Sequence, residues 1–82
     1  MKDNTVEFTT VSPLFEMERD GIKPFTTRNI DHTDNRRDIL FNPLNDVLIK
    51  ITNPATGESF TRKVAHITYV PLTYYHWINI HW

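Results

Sequence analysis

Residues 21–28 read Gly-Ile-Lys-Pro-Phe-Thr-Thr-Arg. They bring an ammonium, a hydroxyl and a guanidinium, those of Lys23, Thr26 and Arg28, into one short segment. Groups of these types can grip an anion or present chemistry when a rigid scaffold holds them. Arg36 and Arg37 follow a few residues later and can extend such a grip along a phosphate backbone, whose contacts position a ligand without reading its sequence. Lys23, Arg28, Arg36 and Arg37 fall in the central third of the chain, while Glu7, Glu16, Glu18 and Asp20 fall earlier. The alternative is that these cations simply solvate the surface, Lys23 at a helix C-terminus where the dipole favours it. Nine Lys and Arg against ten Asp and Glu leave a formal net charge of −1, so any attraction to nucleic acid is local.

The flanking elements place the segment between a helix and a strand. Residues 6–11 are β-rich and predict a first strand. Ser12-Pro13 predicts a helix start, with Ser as N-cap and Pro at the first helical position. Leu14, Phe15 and Met17 supply its apolar side, and Gly21 ends it as a residue able to take positive φ. Residues 25–30 predict a strand with Thr26, Arg28 and Ile30 on one side and Phe25, Thr27 and Asn29 on the other. Residues 31–38 predict a polar connection, anchored by Ile39, Leu40 and Phe41 before an Asn42-Pro43 turn. Residues 46–52 and 59–69 predict the two arms of a hairpin about the 53–58 turn, which holds Pro54 and Gly57. Residues 74–82 predict a last strand. The sum is one α+β, β-rich domain of about five strands with one or two short helices, a small curled sheet or partly open barrel.

Eighty-two residues allow one domain and a small core, because a chain this short buries only about 60–65% of its unfolded surface. Five Phe, three Tyr and two Trp add large apolar areas. No cysteine is present, which excludes disulfides and thiolate metal sites. No stretch approaches the roughly 20 apolar residues of a membrane helix, and the first residues lack a signal-peptide apolar run. A cytoplasmic protein without membrane contact is expected.

Other chemistry is sparse. Asp31, His32 and Asp34 have the right donor types for a metal but no second histidine at ligand spacing, and His76 and His81 are five apart, on opposite sides of a straight strand. No metal and no cofactor is expected. Phosphate-loop, dinucleotide and zinc-binding patterns are absent. The aromatic tail holds Tyr74, Tyr75, Trp77 and Trp82, which either complete the core or present a surface for stacked bases or a protein partner.

Gly21, Lys23, Thr26 and Arg28, with this order of elements, resemble the Gly-x-Lys-x-x-Thr/Glu-x-Arg signature of ASCH domains in the PUA-like superfamily, including the short ASCH-like proteins of phages and bacteria. The likeness covers roughly residues 8–70; where members have a Gly-Asp pair opening the next strand, this chain has Asn45-Asp46. The resemblance implies a small PUA-like barrel with a cleft beside the signature, and binding of RNA or modified nucleosides. One branch of the family removes the acetyl group from N4-acetylcytidine with a Lys and a Thr at this spacing and a Glu from a later strand. By that analogy Thr26 would be the nucleophile, Lys23 its activating base, and Arg28 a fixed fork for an oxyanion or phosphate.

The chain departs from the enzyme pattern. Its only acid after Asp46 is Glu58, in the hairpin turn, and Pro24 restricts the residue before it. The leading expectation is therefore binding of RNA or a nucleotide by Lys23, Thr26, Arg28, Arg36 and Arg37. Amide hydrolysis at Lys23 and Thr26 is the alternative from enzyme chemistry. A small phage-type protein that modulates a host protein through its aromatic surface is the alternative from interaction.

Overall fold

The computed structural model describes residues 4–42 and 46–82. The expected Asn42-Pro43 turn and Asn45-Asp46 pair rest on Pro43 and Asn45, which lie outside the described residues.

Alternation of apolar and polar residues builds two facing sheets. Strand β1 (Thr5–Thr9) turns Val6 and Phe8 inward, β3 (Leu48–Thr52) turns Ile49 and Ile51 inward, and β4 (Ser59–Lys63) contributes Phe60. β1 runs parallel to β3, and β3 antiparallel to β4, which aligns Val6 with Ile49, Phe8 with Ile51 and Ile51 with Phe60. The second sheet has the order β2 (Phe25–Asn29), β6 (Trp77–His81), β5 (His66–Tyr69), antiparallel throughout. Its inner face supplies Thr26, Ile78 and Ile80, all buried, with Ile30 just past the end of β2. A fully buried side chain of this size contributes roughly 1.5–3 kcal/mol.

Two short helices close the ends of this core. α1 (Leu14–Arg19) inserts Phe15, whose ring lies 5.5 Å from that of Phe60. Gly21 ends it at φ 79, as the sequence implies. The buried side of α1 is Phe15 with Glu18, however, and the expected partners Leu14 and Met17 are exposed. A helix this short presents one stripe, and the i, i+3 pair takes it. α2 (Arg36–Leu40) is a single turn that starts inside the expected polar connection 31–38 and runs on into its apolar anchor, burying Leu40.

Six strands form where about five are expected. The expected strand 59–69 breaks at Val64 and Ala65: the Val64 N–H donates to Val47 O in one sheet, and the Ala65 N–H donates to His81 O in the other. The second arm of the hairpin thus serves both sheets around one corner. The last strand starts at Trp77 instead of 74, because Leu72, Tyr74 and Tyr75 take φ of 64, 53 and 64, outside the strand region. The strand order around the core is β1-β3-β4, the corner, then β5-β6-β2. Among the described residues no ladder joins β1 to β2, so no closed barrel forms.

Candidate functional site

Arginine side chains span the gap between β1 and β2. Arg28 sits on the inner side of β2 with Thr26 and Ile30, the alternation expected from sequence. Its Nε donates to Thr26 Oγ1 at 2.9 Å, one terminal nitrogen donates to Thr9 O at 2.8 Å, and the other donates to Thr10 Oγ1. Arg36, from α2, donates to Glu7 O at 3.3 Å and holds Asp34 in a two-pronged contact at 3.1 and 2.8 Å. Glu7 and Thr9 are alternate carbonyls on the edge of β1 that β3 does not use. The guanidiniums therefore occupy acceptors that a closing strand would take. Both also lie against the Phe8 ring, at 4.9 Å for Arg28 and 4.6 Å for Arg36.

These residues line an open groove of about 620 Å³, with Glu7, Phe8, Thr9, Asn29 and Thr52. Burial pushes the Arg28 pKa below its ordinary value, Glu18 opposes that, and the nearby Arg36 adds to it. Arg28 stays a cation at neutral pH because arginine titrates far higher. The Arg36 pKa is raised by its bonds to Asp34. Each guanidinium carries five N–H donors. Three on each are engaged with described residues, so each keeps donors for a ligand in the groove.

The other expected site residues go elsewhere. Lys23 turns back to Glu18, with Nζ 2.9 Å from Oε2, 3.0 Å from Phe25 O and 4.5 Å from the Phe25 ring. Glu18 is 1% exposed, and its second oxygen, Oε1, is buried without a hydrogen bond. Thr26 is 2% exposed and its hydroxyl accepts from Arg28. Arg37 projects from the next position of α2 to a different side, donating to Ile30 O at 2.8 Å and Tyr75 O at 3.1 Å and stacking on Phe41. Neighbouring helix positions point about 100° apart, and Arg36 and Arg37 leave α2 toward different partners. Glu18 is a site residue that local sequence signals only through its spacing of three from Phe15 and five from Lys23.

The aromatic tail divides. Trp82 packs against Phe60, with rings 6.0 Å apart. Tyr74 and Tyr75 are exposed on the loop before β6, where Tyr75 meets Tyr69 edge-on at 4.9 Å. Trp77 is 43% exposed on the outward side of β6. Among the described residues no group of three or more His, Cys, Asp or Glu is placed to hold a metal, and no helix is long and apolar enough to cross a membrane. No family model matches the chain, and no curated protein or solved structure matches it significantly.

Proposed function

We propose that the protein binds RNA or a nucleotide-like ligand, with a phosphate held in the groove between β1 and β2 by Arg28 and Arg36. The observation that carries this reading is the fixation of both guanidiniums. Bonds to backbone carbonyls, threonines and Asp34 hold them in one open groove, and each retains N–H donors. Preorganised forks bind phosphate at low entropic cost. The spacing of Gly21, Lys23, Thr26 and Arg28, with Gly21 at positive φ, supports a PUA-like domain of the ASCH kind as the architecture behind this site, although the described strands do not close the small barrel that this resemblance implies. Lys23 and Thr26 then support the groove from behind instead of lining it, and Arg37 ties the loops on another side.

Titration with a nucleoside, its monophosphate and a short RNA tests the reading. The phosphorylated ligands bind and the nucleoside binds more weakly. Affinity for the RNA falls as salt rises. Arg36→Ala weakens binding while retaining the three bonds of Arg28. No affinity for any phosphorylated ligand, or equal affinity of Arg36→Ala, overturns it.

One observation favours the hydrolytic reading as a second. Glu18, from the preceding helix, sets a carboxylate beside Lys23 and in the field of Arg28, and Arg28 in turn holds the Thr26 hydroxyl. Thr26 at 2% exposure opposes it, since a nucleophile must reach the carbonyl carbon. Release of cytidine from N4-acetylcytidine, lost in both Thr26→Val and Lys23→Ala, would establish that chemistry; no release removes it.

A further inference from the structure

The outward face of the β2-β6-β5 sheet is organised in three rows across the strands. Phe25, His81 and His66 form the first, through the pairing of Phe25 with His81 and His81 with His66. The two imidazoles are stacked, 4.3 Å apart and 7° from parallel, and the Phe25 ring lies 5.6 Å from His81. The second row is Thr27, Asn79 and Thr68. The Thr27 hydroxyl donates to Asn79 Oδ1 at 2.6 Å, and the Asn79 amide reaches Thr68 Oγ1 at 3.4 Å. The third row is Asn29 with Trp77.

Three features of this face go together. It carries no carboxylate, and the Lys23 ammonium stands over Phe25 at one end. It is open: Thr27, Asn29, His66, Thr68 and Trp77 are all exposed. It is also continuous with the arginine groove, because Asn29 belongs to both. Rings standing on a sheet, amides between them and a cationic groove alongside are what unpaired bases and their backbone require. A duplex hides its bases and cannot use the rings.

We infer that the outward face of the β2-β6-β5 sheet binds single-stranded nucleic acid, stacking bases on Trp77 and on the open face of His66 while the adjoining groove takes a phosphate. This deepens the phosphate-groove reading and rests on it. Trp77 and His81 are four residues apart on β6, or roughly 13 Å. That span suits the two or three bases that sheet platforms of this kind stack. The hydroxyl and amide row between them supplies donors and acceptors to base edges without demanding one sequence. Thr68 Oγ1 also meets His81 Nε2 at 3.0 Å, which fixes that ring in the stack.

The full chain, titrated with a labelled single strand of about ten nucleotides and with the same sequence as a duplex, tests this. The single strand is expected to bind at least about fivefold more tightly than the duplex, and Trp77→Ala and His66→Ala each to weaken it at least about fivefold. In a Trp82→Phe background the strand quenches the remaining Trp77 emission. Trp77→Leu keeps the apolar bulk without a ring face and is expected to behave as Trp77→Ala, which separates stacking from loss of fold. Equal affinity for duplex and single strand overturns the platform. So does wild-type affinity in both ring variants, and if Arg36→Ala still weakens binding the groove survives alone. No binding of any nucleic acid overturns the platform, and the groove reading falls with it only if the nucleoside monophosphate also fails to bind.

Discussion

The outward face of the β1-β3-β4 sheet carries Glu7, Lys50 and Lys63 among threonines, and Lys63 pairs with the exposed Asp46 at 3.5 Å. The outward face of the β2-β6-β5 sheet has no Asp, Glu, Lys or Arg along its strands, and it holds four rings instead. The inward faces are far more alike, both built largely from buried isoleucine or phenylalanine. Folding requires matched inner faces and accepts nearly any solvated outer one. A charged, ring-free surface meets that minimum, and an exposed ion pair such as Lys63–Asp46 is worth about 0–1 kcal/mol. A charge-poor, ring-bearing surface exceeds it, and depletion of charge with enrichment in aromatics is the composition of buried interface centres.

The largest effect expected on this contrast comes from the seam between the sheets. Arg28→Ala removes three hydrogen bonds from buried or edge acceptors and should lower unfolding stability by about 2–4 kcal/mol in urea melts while eliminating phosphate binding. Arg28→Lys retains the charge but not the fork, and should recover little of either.

A smaller effect sharpens the contrast itself. Thr27→Glu plants one carboxylate on the ring-bearing face and should cut affinity for a single strand about tenfold at low salt, less as salt screens it. Thr61→Glu places the same charge on the other sheet, opposite Lys50, and should leave affinity within about twofold. Similar losses from both would erase the distinction between the faces.

The smallest effect is a pH dependence. Burial, and then the neighbouring His66, hold the His81 pKa below its ordinary value of 6.5. The unfolded chain then binds the proton more readily than the folded one. Stability from this group is fully present above pH 6.5 and declines as pH falls through the lowered folded value. A urea midpoint lower at pH 5.5 than at 7.5, with the difference reduced in His81→Gln, is the expected outcome.

Much of this was legible in local sequence. Gly21 announces the end of α1, the alternation of residues 25–30 puts Thr26, Arg28 and Ile30 on one side, and Pro54 with Gly57 marks the hairpin turn. In that turn the Asn53 side chain accepts from Ala55 N–H at 3.0 Å and Gly57 takes φ 78. What stayed hidden depended on partners distant in the chain. Nothing in residues 59–69 distinguishes one strand from two, because the break is set by Val47 and His81. Glu18 reads as a surface acid until Lys23 is folded back over it. Spacing groups Lys23 with Arg28, yet the former answers Glu18 and the latter the edge of β1. Adjacency groups Arg36 with Arg37, and a single helical turn sends them apart.

The corner at Val64 and Ala65 sets the phase of everything after it. Side chains alternate strictly along a strand, so deleting one residue there would rotate β5 by half a period. His66 and Thr68 would then be driven toward the isoleucines, and Ile67 out into water. Core and ring stack are written in the same two-residue rhythm, and one missing beat would ruin both.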